Sequence, residues 1–445
     1  MEPASPAVRR HRPDYWLVVI ALFLIVIGIT VVYAIGPALS ATSGGSGAHY
    51  VSRQLIAVGL SIVAFLVTAR VPLATWRRWQ MPLLGLAAFG TLIALVTPLV
   101  PQYPAHRWIR LGGFSLQSVE ILKFAIIIAL AGFLARRAAE GSLSDAQKTL
   151  KPLGYGLLLM TLVVAGPDKL HGQSDLGSFA VIICMVAAMA IVVGLPMKRI
   201  LTAAAVMALL VVLVITISPY RRERLTTFMH PESNCLTTGY QACQALIAVG
   251  SGGISGLGLG RSVQAYGYLP EAQNDSIFAI YAEKFGFIGA MVLFGLFVTL
   301  FARLRTIIER APDTFSRLLV TGVLAWLSVQ TIINIGAMIG LLPLKGITLP
   351  FVSYGGTSVL FVGAALGLVF QISHYTNFGA RNVVKKSGQR AVNMPRVAAS
   401  APNRPGASRG FSSLAYDRRA ASEVQTARMP QAAYHLDQPE KVSSR

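Results

Sequence analysis

Residues 15–35 read YWLVVIALFLIVIGITVVYAI. The run carries no charge and is long enough to cross a bilayer, whose hydrocarbon core takes ~20 helical residues. It exceeds the apolar region of about 7–15 residues in a signal peptide, so it is expected to stay in place as a first membrane helix, despite the cleavage-like ALS at 38–40. The whole chain has the same character. It is 54% hydrophobic and 13% charged, with a mean hydropathy of +0.60, where a soluble domain carries about 25% charged residues. Nine more apolar runs, at 55–71, 81–99, 120–136, 153–165, 176–194, 200–217, 276–301, 317–341 and 355–373, bring the spans to ten, the fifth being short.

Charge then sorts the loops. Alternate connections hold Arg77 and Arg78, then Arg136, Arg137, Lys148 and Lys151, then Lys198 and Arg199, then Arg303, Arg305, Arg310 and Arg317. The basic N-terminal residues Arg9, Arg10 and Arg12 and the basic tail share their side. The positive-inside rule places that side, and both termini, in the cytoplasm, and an even number of spans agrees. The net charge of +21 is therefore membrane topology and attraction to anionic lipid. A nucleic-acid binder would show a basic folded soluble domain, and none is visible, so nucleic acid is not expected as a partner. The expected fold is an all-α polytopic membrane protein of ten transmembrane helices. Residues 1–14 form a cytoplasmic segment, 15–376 the membrane domain, and 377–445 a disordered basic cytoplasmic tail. A long extracytoplasmic loop, 218–275, joins helices 7 and 8.

The outer loops break the charge trend. They hold Arg107, Arg110, Lys169, Arg221, Arg222, Arg224, Arg261 and Lys345. An anionic ligand at the outer face is the simplest physical reason, and ordinary loop charge is the plain alternative. The longest loop also holds Cys235 and Cys243, which would pair in an oxidising compartment or remain two thiols; spacing does not decide. Its GSGGISGLGLG run (250–260) is like a phosphate-binding loop in composition, but no strand precedes it, so it reads as a bending or close-packing segment.

The loop closes on YGYLPEAQNDSIFAI (266–280), where Glu271 and Asp275 stand at the mouth of an apolar span. Ionisable groups there mark a candidate functional site. The structural alternative is that Asn274 or Asp275 caps the helix starting at Ser276. Pro270 argues against a helix running through both acids. Glu120 and Lys123, at i and i+3, share a helix face as an internal ion pair or as part of a groove. Asp175 reads as the cap of the sixth span, and Gln330 and Asn334 as interhelical hydrogen-bond partners.

Five stretches in order carry a resemblance. They are RWI (107–109) with FSLQ (114–117), QSDLG (173–177), GYQ (239–241) leading to SGG (251–253), LPEA (269–272) with Asp275, and LPFVSYGG (349–356). Together the chain resembles the SEDS family of bacterial cell-wall polymerases (FtsW, RodA, SpoVE) over about 15–376. LPLKGITLP (342–350) is more similar to the FtsW branch than to RodA. The chain departs from the family pattern at Ser118 and Ser174, where proline is usual, at Gln273-Asn274 in place of His-Thr, and at Ser276 in place of Phe. The missing His removes a proton relay at that position and leaves Asp275 in place.

The resemblance implies polymerisation of lipid II at the outer face of the cytoplasmic membrane: an acceptor hydroxyl displaces undecaprenyl pyrophosphate with inversion. Pyrophosphate is a good leaving group, so one carboxylate base and cations for the diphosphate suffice, where glycoside hydrolysis usually takes two carboxylates. Asp275 is the expected base, with Glu271 as its rival and a substrate contact. Arg107, Lys345, Arg222 and Arg224 are the expected diphosphate or sugar contacts, with Glu120 and Lys123 lining the groove. A divalent cation, Mg or Mn, would share the charge, but no ligand cluster specifies one. The resemblance further implies a class B penicillin-binding protein (a transpeptidase) as partner, other division proteins, and a place in the inner membrane at the division septum. A lipid II flippase and a RodA-like elongation polymerase stay open as alternatives.

Overall fold

A computed structural model describes residues 9–10, 12–43, 47–97, 106–111, 114–166, 173–229 and 235–376. The tail expected to be disordered lies outside the described residues. Among the described residues ten stretches are long and apolar enough to cross a membrane, and the ten runs read from the sequence fall on them. They are α1 (Tyr15–Ser43), α2 (Gly47–Arg70), α3 (Leu73–Val96), α4 (Ser118–Ala139), the helical run Ala146–Ala165 with α5 (Lys151–Met160) between two π-helical turns, α6 (Leu176–Val193) and α7 (Met197–Ile217). After two short helices of the long loop, α8 (Pro219–Met229) and α9 (Tyr240–Ser251), come α10 (Ile277–Arg310), α11 (Thr314–Met338) and α12 (Gly356–Ser373).

Several boundaries differ from expectation. α3 begins at Leu73, so Arg77 and Arg78 ride on the helix. α10 runs to Arg310, which puts Arg303 and Arg305 on its last turns. Long arginine stems cover apolar helix surface while their heads reach water, so charge alone does not end a span; Pro72 and Ala311-Pro312 do. The all-α expectation holds for the architecture, to which the described residues add two short ribbons. Among the described residues β1 (Arg9–Arg10) pairs antiparallel with β4 (Tyr375–Thr376), and β2 (Trp108–Leu111) pairs with β3 (Phe114–Gln117) in register Trp108↔Gln117.

The first ribbon has a topological consequence. It joins the segments that flank α1 and α12, and Asp14 N–H donates to Ser373 Oγ at 3.0 Å while Asp14 faces Arg303 at 3.7 Å. Both ends of the membrane domain therefore lie together, as ten spans require. The core is built on α4, α11 and α12, whose side chains are mostly buried, with Trp326, Phe297, Phe315 and Leu134 filled in among them. α7 stands at the periphery, with Leu209, Val212 and Leu213 exposed where acyl chains would lie.

One span is broken. Gly286 in α10 takes φ +65°, ψ −164°. The glycine-rich segment after α9 fills the break: Leu257 N–H donates to Glu283 O (2.9 Å), Gly258 N–H to Lys284 O (3.0 Å), Phe287 N–H to Gly253 O (2.9 Å) and Ile288 N–H to Ile254 O (3.1 Å). A β-carbon on Gly252 or Gly256 would collide with the α10 backbone at Ala282 or Lys284. These glycines are the close-packing segment the sequence indicated; here they replace the helix's own lost hydrogen bonds.

Candidate active site

Two loops bring the site together at the end of the bundle away from the β1–β4 ribbon. The first is 265–276, a chain of turns leading into α10. The second is 342–355, between α11 and α12. The capping reading for the first is corrected: α10 is preceded by Ser276, and neither Asn274 nor Asp275 caps it with a side chain. Glu271 takes φ +50°, which breaks any helix between the two acids. Its carbonyl accepts from the N–H groups of Asn274 (3.0 Å) and Ser276 (3.1 Å), so the turn is closed by backbone and the Asp275 carboxylate has no capping duty.

The loops are laced to one another. Asn334 Nδ2 donates to the carbonyls of both Asp275 and Ile347, each at 2.7 Å. Ser353 Oγ donates to Asn274 O at 2.7 Å, and Tyr354 N–H to Gln273 O at 2.9 Å. The second loop turns inward at Phe351 (φ +65°) and its Val352 backbone lies against Gly28 of α1, where a side chain would collide. Gln330 Nε2 donates to Thr348 O at 2.9 Å, and its Oε1 accepts from Lys123 Nζ (3.0 Å) and Trp326 Nε1 (2.7 Å). Lys123 in turn holds Glu120 at 2.6 Å. Glu120 and Lys123 are thus a buried ion pair on α4 that supports the second loop through Gln330.

A third strip, 173–175, completes the site. Asp175 caps α6 as expected, Oδ1 accepting from Ser178 N–H at 3.0 Å, while Oδ2 is buried with no partner among the described residues. Arg107 grips this strip: Nε donates to Gln173 O and Nη2 to Ser174 O, both at 2.8 Å. Arg221 Nη2 donates to Ala165 O and to Ser174 Oγ, also at 2.8 Å. Ser174 takes φ +54°, a backbone that proline cannot adopt. Arg224 donates to Leu344 O at 3.3 Å. Arg222 is exposed, and its carbonyl accepts from Thr226.

Asp275, Gly346 and Arg107 converge. A β-carbon on Gly346 would stand 3.1 Å from Asp275 Oδ2 and 3.9 Å from Arg107 Nη1. Gly177 of α6 is as close to Lys345: its β-carbon would lie 3.1 Å from Lys345 Cβ. Burial pushes the Asp275 carboxyl up to about 7, helped by the charges of Glu271 and Asp175 and opposed by Arg107 and Arg224. Burial, then Arg224 and Arg221, pulls the Lys345 ammonium down. Of the residues expected at the site, Asp275, Glu271, Arg107, Lys345 and Arg224 are brought together; Glu120 and Lys123 join at one remove. Among the described residues no three His, Cys, Asp or Glu side chains gather to hold a metal ion.

Residues 15–378 match the FtsW/RodA/SpoVE family of cell cycle proteins. The chain belongs to that family. Among FtsW relatives, a protein of Coxiella burnetii named probable peptidoglycan glycosyltransferase FtsW is 38% identical over 368 residues, 82% of this chain and 96% of that one. The stage V sporulation protein E of Bacillus subtilis is 32% identical over 372 residues, 83% and 99% of the two chains. A chain solved in work on the structural coordination of polymerization and crosslinking by a peptidoglycan synthase complex superposes with a TM-score of 0.62 at 25% identity, covering 81% of this chain and 97% of its own. The rod shape determining protein RodA of Thermus thermophilus has the same fold, with a TM-score of 0.57 at 24% identity over 81% and 96%.

The family motifs did not single out Glu283. It is fully buried on α10 and accepts from Ser262 Oγ (2.5 Å), Val263 N–H (2.8 Å) and Gln264 N–H (3.2 Å), while Gln264 O accepts from Leu269 N–H (3.0 Å). The loop that ends in Asp275 is therefore anchored at both ends to α10. Gln241 was read only as part of a motif; its Nε2 donates to Ser276 Oγ at 3.2 Å. A buried acid in an apolar span was the available signal for Glu283. Cys235 and Cys243, left open by the sequence, form a disulfide.

Proposed function

We propose that this chain is a peptidoglycan glycosyltransferase that polymerises lipid II, working from the outer face of the cytoplasmic membrane with both termini in the cytoplasm. The observation that carries the reading is the Asp275 carboxyl, lifted to about 7 and set beside Arg107 across the side-chain-free edge of Gly346. A base of that strength is half-ionised near neutrality, where proton abstraction from a sugar hydroxyl is most effective. Asp275 takes the acceptor hydroxyl's proton as its oxygen attacks the donor anomeric carbon and the diphosphate leaves. Lys345 and Arg224 neutralise the diphosphate, and Arg107 orders the strip that faces it. Glu271 raises the affinity of Asp275 for the proton. Asp275 and Asp175, whose Oδ2 has no partner among the described residues, are the carboxylates that would hold a magnesium or manganese ion, which would supply screening of the diphosphate charge; one or two carboxylates plus phosphate oxygens are the usual set for such an ion.

The disulfide of the 218–275 loop favours an oxidising side for this end of the molecule. The FtsW relatives favour use in division, at the septum, with a class B penicillin-binding protein crosslinking the strands and other division proteins alongside. A flippase would need a polar path through the bundle; Lys123 bonds Glu120 and Gln330, and Gln330 bonds Thr348, which favours support of the outer loop. The test is polymerisation of purified lipid II by the chain with its transpeptidase. Glycan ladders from the wild type and none from a folded Asp275→Asn variant are expected. Equal ladders from both would reject Asp275 as the base, and lipid II translocation without ladders from either would favour the flippase.

A further inference from the structure

At the opposite end of the bundle, beside the β1–β4 ribbon, a cavity of about 360 Å³ opens between the ends of α2 and α12. Its volume is in the range of small-molecule sites. Three kinds of surface line it. Arg70, the last residue of α2, is exposed and makes no hydrogen bond or ion pair among the described residues. Gln371 is 8% exposed; its Nε2 is spent on Val71 O at 2.7 Å, and its Oε1 has no partner among the described residues. Phe65, Leu66 and Phe370 supply an apolar wall, the two phenyl rings lying 5.4 Å apart. That wall continues along the outer face of α2, where Ile62, Val63, Leu66 and Val67 are exposed.

These surfaces ask for one ligand with three properties: a negative charge for Arg70, a hydrogen-bond donor for the buried Gln371 oxygen, and an apolar chain for the face of α2. We infer that the cavity binds the headgroup of an anionic, hydroxyl-bearing glycerophospholipid such as phosphatidylglycerol. Its phosphate pairs with Arg70, a headgroup hydroxyl donates to Gln371 Oε1, and an acyl chain runs along Ile62 and Leu66. A phosphate at the membrane boundary, between an arginine and aromatic rings, is where such a lipid already sits. A buried acceptor left without a donor is costly, so the hydroxyl supplies what phosphatidylcholine lacks. The site would fill the seam between α2 and α12 and is independent of the glycosyl-transfer reading.

The test uses the full chain, stripped of lipid in detergent and titrated with dioleoyl phosphatidylglycerol, with retained lipid counted by native mass spectrometry. Arg70→Gln is expected to weaken retention about fivefold or more, and Gln371→Met to remove the preference for phosphatidylglycerol over phosphatidic acid. Arg78→Gln, at an exposed arginine of α3, is expected to change neither. Equal retention of phosphatidylglycerol, phosphatidylcholine and phosphatidylethanolamine, or equal losses in Arg70→Gln and Arg78→Gln, would overturn the site. Displacement of the lipid by inorganic phosphate alone would overturn the lipid as its ligand. Both arginines are exposed, so unchanged thermal midpoints in lipid-free detergent establish that the variants are folded.

Discussion

Gly346 leaves the Asp275 carboxylate clear: a single added methyl group would sit 3.1 Å from its oxygen Oδ2 and 3.9 Å from Arg107 Nη1. Gly346→Ala is therefore expected to lower kcat by about 10²-fold through displacement of the reacting groups. Gly346 is exposed, so the thermal midpoint should stay within what about 0.5 kcal/mol would move. Steady-state polymerisation and a melting curve on the same preparation separate the two effects; full activity would show that the gap is not used.

The elevated Asp275 carboxyl makes two signed claims about pH. As a base it must be ionised, so the rate of polymerisation should rise with pH to a plateau, with a midpoint near 7. Stability runs the other way. Between the ordinary value of 3.8 and about 7 the folded chain holds a proton that the unfolded chain has released, so stability falls as pH rises through that window and levels off above it. Asp275→Asn should accordingly melt with the wild type near pH 4 and above it at pH 8. A flat difference across the range would contradict the burial of this carboxyl.

Glu283 should act on the reaction without touching it. Removing its carboxylate leaves the Ser262 hydroxyl and the Val263 and Gln264 N–H groups without their acceptor. Glu283→Ala should cost about 2–4 kcal/mol of stability and lower kcat more than it raises KM. Glu283→Gln keeps one carbonyl oxygen as acceptor and should restore most of both. An alanine variant with wild-type kcat would separate the 262–264 anchor from the placement of Asp275.

The Cys235–Cys243 bond closes a short loop at the start of α9, whose Gln241 reaches Ser276 next to Asp275. In the chain-entropy picture a loop of this size contributes about 2–3 kcal/mol. Reduction, or Cys235→Ser, should lower the thermal midpoint and reduce kcat several-fold. Gln241→Ala should reproduce the loss of rate without the loss of stability. Unchanged activity after complete reduction would show that α9 holds Ser276 by packing alone.

The membrane spans were legible because an apolar run of bilayer length has few other uses, and 15–35 or 176–194 states it outright. The ends of the spans were not legible at Arg77 and Arg303, because a charged head on a long stem does not stop a helix; only the prolines at 72 and 312 do. The acids of 266–280 stood out since an ionisable group beside a span is costly. Their assembly with Arg107, Asp175 and Lys345 did not stand out, because it depends on contacts between stretches far apart in sequence. Asn334 shows the limit well: its face of the helix was readable, but its double hold on Asp275 and Ile347 required the loops to be in place.

The seam between α2 and α12 also sets a timetable. Gln371 bonds to Val71 across a separation of 300 residues, and α12 is the chief neighbour of α2. On a ribosome adding ~5–20 residues per second, the second span would wait roughly 15–60 s for its partner. For that interval the nascent chain is a set of inserted helices whose N-terminal members have lipid, or a chaperone, where α12 will later stand. α12, the last of the described helices to emerge, covers α2, so a chain stopped short of Gly356 would leave α2 unsheathed and open to membrane proteases.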